Sequence, residues 1–180
     1  DADMARVLAM APSRAELLAR ADRGSELVLT AAASAIARLG KLPEDAAVVV
    51  ATYSASLEVN EIFDQRRRAG RPVEPRRFPA TSPNLGAGLC TIAFELHGPS
   101  FAISCEQSLG PAALEIAAQV VAVDASAALL VFVEDVGAVV QDLLRSAGQP
   151  ERPRVARALV LERGSETVST EPFWERWPAE

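Results

Sequence analysis

Short runs of consecutive apolar residues, separated by longer mixed segments, make up the hydrophobic pattern of the chain. The runs at 46–53, 100–104, 127–133 and 156–162 are rich in valine, leucine, isoleucine and alanine. Runs of this length, apolar at successive positions, are typical of strands that are buried on both faces of a sheet. A further short apolar run, residues 4–10, ends at Ala11-Pro12 and is interpreted as a first strand or an ordered arm.

Helical spacing dominates the segments between these runs. In the predicted helix 22–38, residues at three- and four-residue steps define one face, with Ile36 and Leu39 beside them; these residues are Leu27, Ala31, Ser34, Ala35 and Arg38. Gly40 is the expected C-cap of this helix. Ser13 and Glu16 form a capping-box pattern that predicts a helix over 13–20. Further helices are predicted over 57–68, over 112–123 and over 137–145. Another is predicted to follow the segment 77–88 and to end near residue 96.

Composition limits the classes of function. The chain has 180 residues, enough for one domain with a sizeable core, and its net charge of −6 argues against nucleic acid as a partner. No apolar run approaches the ~18 residues of a membrane helix, and no signal peptide is expected at the N-terminus. Cys90 and Cys105 lack metal-ligand spacing, so reduced thiols and a cytoplasmic location are expected. The single His97 excludes histidine-based metal clusters.

Residues 97–110 combine a turn, a strand and the start of a helix. Gly98-Pro99 is a turn signal, the apolar run 100–104 follows, and a polar corner leads through Gly110 to Pro111, which suits the first turn of a helix. This order presents one side chain at an elbow above a sheet. The N-terminus of the following helix stabilises negative charge that develops there.

This stretch resembles the active-site segment of the β-ketoacyl synthases of the thiolase fold. In that family the nucleophilic cysteine lies eight residues after the proline and three before a glycine, and both counts, from Pro99 and from Gly110, lead to Gln107. Glu106-Gln107 at this place resembles the chain-length factors, which are cysteine-less partner subunits of type II polyketide synthases. A strand slip of two residues would instead place Cys105 at the elbow.

Other segments extend the resemblance to residues 6–165. Residues 77–88 resemble the proline-rich loop and Asn-x-x-Ala-Gly helix of the family, and residues 156–162 resemble the strand that closes its first half. The resemblance implies an α/β domain over 1–165, half of a thiolase-like fold with α-β-α layers and a mixed, mostly parallel sheet of about five strands. Residues 166–180 form a polar, aromatic tail. Its Phe173, Trp174 and Trp177 either fold back over the core or anchor a partner.

The chemistry at the elbow argues against condensation by this chain alone. The Gln107 amide is no nucleophile, and the two histidines and the lysine of the family belong to a second half that this sequence does not contain. No catalytic residue, metal or bound cofactor is therefore expected, and acyl groups would arrive on a phosphopantetheinyl acyl carrier protein. One alternative is a malonyl-carrier-protein decarboxylase that uses the Gln107 amide in an oxyanion hole. Another is a homodimeric scaffold or binding protein.

The expected function is that of a chain-length-factor-like subunit. It would pair with a complete β-ketoacyl synthase and shape its acyl tunnel, in polyketide, aryl polyene-type or fatty-acid-like biosynthesis. The resemblance places these residues at the tunnel or the interface: Asn84, Leu85, Leu89, Ile92, Phe101 and Ile103. A cluster of arginines either lies in a solvated loop or docks the acidic carrier protein; its members are Arg66, Arg67, Arg68, Arg71, Arg76 and Arg77.

Overall fold

One four-stranded sheet forms the centre of the structure, a computed structural model that describes residues 2–54, 56–72, 74–105, 108–152 and 154–164. The strands are β1 (Ala47–Ala51), β2 (Ser100–Ile103), β3 (Ala127–Glu134) and β4 (Val155–Glu162). Their order is β2-β1-β3-β4, with β4 antiparallel to the other three. Every residue of β1 and β3 is buried, as expected for strands that are apolar at consecutive positions.

Helices cover both faces of the sheet. In chain order they are α1 (Ala2–Met10), α2 (Ala15–Leu18), α3 (Arg23–Leu39), α4 (Leu57–Arg68), α5 (Leu85–Phe94), α6 (Leu109–Val123) and α7 (Ala138–Ser146). α1, α3 and α5 pack against one face, and α6 packs against the other. The α-β-α layers and the mostly parallel sheet are thus confirmed.

The structure contradicts the predictions of a strand or arm over residues 4–10 and of a capped helix over residues 13–20. Residues 4–10 belong to helix α1, so the described sheet has four strands and not about five. Met4, Val7 and Leu8 lie at helical spacing and pack together on the core, a periodicity that a short apolar run hides. Instead of a capped helix over 13–20, a 3₁₀ turn at Pro12–Arg14 precedes the four-residue α2, and no side chain caps either element.

Helix α3 has the predicted ends but a different buried face. The Asp22 carboxylate accepts hydrogen bonds from the N–H of Gly24 (3.1 Å) and of Ser25 (3.4 Å), and Gly40 follows the helix with φ of 98°. The buried residues are Ser25, Val28, Leu29, Ala32, Ala33, Ala35 and Ile36. Because α3 contacts the sheet, α1 and α5 together, its core face is rotated from the predicted one. The stripe from Leu27 to Arg38 lies beside β4.

The turn before β2 is held by close approach of two backbone segments. A Cβ on Gly98 would collide with the carbonyl oxygen of Asp45 and lie 2.6 Å from that of Ala46. The N–H of Val48 donates to the Pro99 oxygen at 2.8 Å and joins this turn to the start of β1. The glycine therefore lets β2 enter the sheet. None of the helices in the described ranges is both long and apolar enough to cross a membrane.

Replacing Gly98 with alanine is expected to lower the free energy of unfolding by about 1–3 kcal/mol, because the new Cβ overlaps backbone atoms. Urea denaturation measures the change. A Cβ at Gly88 in α5 meets no atom within 4 Å. The control Gly88→Ala should therefore raise the free energy of unfolding by about 0.5–1 kcal/mol, since alanine favours the helix. Equal effects of the two variants would contradict the close approach at Gly98.

Candidate functional site

The carboxyl ends of the three parallel strands meet at one edge of the sheet. The N–H of Thr52, directly after β1, donates to the carbonyl oxygen of Ile103, the last residue of β2, at 3.0 Å. Glu134 ends β3 beside them. In open α/β sheets this edge is where ligands bind. Cys105, which precedes the predicted elbow, follows β2 at this edge, and Glu106 and Gln107 are outside the described residues.

The described residues around the elbow show how α6 begins. Ser108 is the N-cap of α6 and has φ of 56°, in the left-handed region that costs a non-glycine residue about 1–3 kcal/mol. Its side chain makes no capping hydrogen bond, and Gly110 is buried in the first helical turn. Cys105 is partly buried and packs against the apolar cluster beneath α6. Cys90 and Cys105 form no disulfide in the described part of the chain, and burial raises the pKa of Cys90 to about 12.

Glu134 is a buried carboxylate that the sequence analysis left without a role. It accepts hydrogen bonds from the N–H of Tyr53 (2.5 Å) and of Ser54 (3.1 Å). Burial raises its pKa, while the hydrogen bond from Tyr53 acts in the opposite direction. The carboxylate fixes the loop after β1 against the end of β3. The sequence feature that could have indicated this buried carboxylate is the acidic pair Glu134-Asp135, which directly follows the apolar run 127–133.

The next residue, Asp135, forms a second buried acidic position. Arg154 lies 3.1 Å from its carboxylate and 2.7 Å from that of Glu58 in α4. The Asp135 N–H also donates to the Ser54 hydroxyl at 3.2 Å. Burial, followed by the neighbouring Glu58, raises the pKa of Asp135 to about 7, and Arg154 opposes this. The two acids and the arginine thus connect β3, α4 and the residues before β4.

The predicted tunnel and interface residues fall into four groups. Leu85 and Ile92 lie at helical spacing on the accessible flank of α5, and Ile92 is 40% exposed. Leu89 is buried in the core against the α3 side. Phe101 and Ile103 point to the opposite face of the sheet and pack toward α6. Asn84 is exposed at the start of α5 and makes no side-chain capping hydrogen bond. The structure places Leu85 beside Ile92 and Phe101 beside Ile103, but it does not bring the whole set together.

The arginine cluster covers the end of α4 and the 3₁₀ helix Pro75–Thr81. Arg76 and Arg77 thus lie in a 3₁₀ helix and not in the expected solvated loop. Local ion pairs bind four of the arginines: Arg66 and Arg77 to Glu74, and Arg67 and Arg68 to Asp64. In the described part of the chain, Arg71 and Arg76 form no ion pair with a carboxylate. The six arginines outnumber these two acids, so the surface stays basic.

Comparison with known proteins identifies the family. The family profile "Beta-ketoacyl synthase, N-terminal domain" matches residues 5–140, and this chain therefore belongs to that family. No curated protein matches the sequence. The fold is half of a thiolase-like fold, as the resemblance implied.

Solved structures show the same fold at low sequence identity. A ketosynthase in complex with its chain length factor (ApeO and ApeC) from Xenorhabdus doucetiae has a TM-score of 0.67 and 22% identity, over 81% of this chain and 59% of the other. The ishigamide ketosynthase/chain length factor has a TM-score of 0.70 and 24% identity, over 83% and 46%. A beta-ketoacyl synthase from Burkholderia phymatum STM815 has a TM-score of 0.59 and 21% identity, over 78% and 42%. This chain spans about half the length of those proteins.

The raised pKa of Asp135 predicts a pH-dependent stability. The folded protein keeps this proton up to about pH 7, whereas the unfolded chain releases it near 3.8. The folded state binds more protons in between, so the stability contributed by Asp135 is present below about pH 4 and lost toward pH 7. Asp135→Asn should flatten the slope of unfolding free energy in this window by at most about 1.4 kcal/mol per pH unit.

Urea denaturation of both proteins at several pH values measures the slopes. Glu58→Gln should also reduce the slope, because it removes the neighbouring carboxylate that raises the pKa of Asp135. If the Asp135→Asn protein showed the wild-type slope of unfolding free energy against pH, the raised pKa of Asp135 would be contradicted.

Proposed function

We propose that this chain is a non-catalytic, chain-length-factor-like subunit that pairs with a complete, cysteine-bearing β-ketoacyl synthase in the cytoplasm. The observation that carries the proposal is the open outer edge of β2. This strand is half-buried at all four positions, and in the described sheet it pairs with β1 alone. An apolar strand with one unpaired edge readily adds a strand from another chain.

The hydrogen-bond pattern defines which groups of β2 are free for a partner. The carbonyl oxygens of Pro99 and Ile103 accept hydrogen bonds from the β1 side. Because backbone groups alternate along a strand, the N–H and C=O of Ser100 and Ala102 point outward. A partner strand would thus find donors and acceptors at two alternate positions of β2.

The accessible flank of α5 continues this surface. α5 packs beside β2, and its Leu85, Gly88 and Ile92 lie on one flank at helical spacing. Leu85 is half-buried, Ile92 is 40% exposed, and a Cβ on Gly88 would meet open space. A glycine in mid-helix costs about 1 kcal/mol, and a close-packed partner helix is a reason to keep one.

The position of the single histidine supports a non-catalytic role. The N–H of His97 donates to the Glu44 oxygen at 2.6 Å, at the amino end of β2. The elbow lies past the carboxyl end of the same strand, about 13 Å away for four residues. No described residue near the elbow supplies the imidazole base that activates a nucleophile. Shape and stability are then what this chain contributes to an acyl tunnel, with Phe101 and Ile103 as wall residues.

Gly88→Phe is expected to prevent pairing with the synthase, because the ring would fill the space that the partner occupies. The experiment is co-expression with the neighbouring ketosynthase, affinity pull-down and mass determination. Ala37→Phe is the matched control: it adds the same ring at an exposed position of α3, away from β2. Circular dichroism should show both variants folded. Wild-type and Ala37→Phe chains should form a stoichiometric complex.

Other outcomes would contradict the proposal. A free chain that remains a homodimer and ignores the synthase would favour the scaffold. Release of carbon dioxide from malonyl carrier protein by the free chain, lost in Gln107→Ala, would favour the decarboxylase.

The basic surface supports a carrier protein as the second partner. Phe78, 67% exposed, stands among the arginines and offers an apolar contact to an acidic helix. The double variant Arg71→Glu with Arg76→Glu should slow association of the carrier protein by about tenfold at low salt, an effect that added salt weakens. The control Arg14→Glu with Lys41→Glu makes the same change of net charge outside the cluster. Equal slowing by both double variants would contradict specific docking.

A further inference from the structure

Helix α4 lies on the body of the protein without an apolar anchor. None of its residues is buried, and none belongs to either of the two apolar clusters that the described residues form. Its apolar side chains Leu57 and Ile62 are exposed. Burial of an apolar face is what normally fixes a helix in a folded protein. The contacts that hold α4 in place are therefore polar.

Two acidic side chains join α4 to other elements. The Glu61 carboxylate accepts hydrogen bonds from the N–H of Val139 (3.2 Å) and of Val140 (3.1 Å), in the first turn of α7. Glu58, one turn earlier in α4, is in hydrogen-bonding contact with the Asp135 carboxyl group beyond the end of β3. The first contact joins a carboxylate to two donors, whereas the second brings two carboxyl groups together.

Two carboxyl groups in hydrogen-bonding contact need a shared proton. An ionised carboxylate only accepts hydrogen bonds, so the bond between Glu58 and Asp135 exists only while one of them is protonated. Arg154 lies 2.7 Å from Glu58 and 3.1 Å from Asp135, and its one positive charge balances one carboxylate but not both. The Asp135 side chain is only 5% exposed, so a second negative charge there has little solvation.

The other charged groups that face Asp135 come from α3 and β3. α3 contributes one charge of each sign: Arg23 acts on Asp135 at longer range, and a Cβ on Gly24 would lie 3.3 Å from the Asp22 carboxylate and 3.7 Å from that of Asp135. The neighbouring Glu134 is directed away, to the backbone N–H groups of the loop after β1. Burial, followed by the carboxylate from α4, prevails and raises the pKa of Asp135 to about 7.

We propose that Glu58, Asp135 and Arg154 form a proton-dependent latch, which holds α4 in place while the two carboxyl groups share a proton and releases the helix when that proton passes to solvent. The inference does not depend on the proposed function. Because α4 ends in three members of the arginine cluster, opening of the latch would displace part of the basic surface.

The direction of the pH dependence follows from proton linkage. In the closed latch Asp135 keeps its proton up to about pH 7, whereas with its ordinary pKa of 3.8 it releases the proton once the latch is open. Opening therefore releases a proton between these two pH values and becomes more favourable as the pH rises, by up to about tenfold for each pH unit. Above pH 7 the effect levels off, so about tenfold remains between pH 6 and pH 8.

Hydrogen exchange of the full chain, corrected for the intrinsic rate at each pH, measures the opening. The amides of α4 should lose about tenfold in protection between pH 6 and pH 8, while those of β3 keep theirs. Asp135→Asn should remove this pH dependence, because its amide donates to Glu58 at every pH. Glu58→Gln should do the same from the accessible side of the pair. The control Asp124→Asn removes an acid before β3, at the opposite end of that strand, and should behave as the wild type.

Three results would overturn the latch. The first is wild-type protection of α4 that does not change between pH 6 and pH 8. The second is an equal loss of protection in α4 and β3, since the whole chain would then unfold together. The third is a wild-type pH dependence in the Glu58→Gln protein, which provides the test even if Asp135→Asn fails to fold.

Discussion

Backbone hydrogen bonding along the two outer strands is the constraint on which the rest of the structure depends. β1 and β3 have neighbours on both sides, but the described sheet leaves one edge of β2 and one edge of β4 unpaired. Isolated edges are usually protected by charges, prolines or bulges, and β2 has none of these. We propose that a synthase subunit extends the sheet at β2.

The buried acids give the site its rigidity without giving it a nucleophile. Glu134 ties the loop after β1 to the end of β3, and Asp135, Glu58 and Arg154 connect the same edge to α4 and β4. Glu134 accepts two backbone hydrogen bonds, and the carboxylates of Asp135 and Glu58 share the guanidinium of Arg154. These contacts hold the loop after β1, the end of β3 and α4 together at this edge of the sheet.

The sequence predicted the central strands and most helices because their apolar patterns are local. Residues 4–10 were misjudged since a seven-residue apolar run fits a strand and a helix equally, and only contacts of Val7 with distant core residues decide between them. The buried face of α3 differs from the predicted face because the sheet, α1 and α5 all pack against this helix. Glu134 escaped notice because its partners, Tyr53 and Ser54, lie eighty residues away. The resemblance already indicated an open edge at β2, but the position of β4 at the other end of the sheet could not be inferred, since strand order is not a local property.

Hydrogen exchange at β2, measured with and without the synthase, tests the central claim most directly. In the free chain the outward amides of Ser100 and Ala102 should exchange fast, while those of β1 and β3 are protected. On binding the synthase, exchange at these two positions should slow strongly, with little change at β4. A complex that forms and leaves β2 exchange unchanged would contradict the claim that this edge is where the subunit pairs.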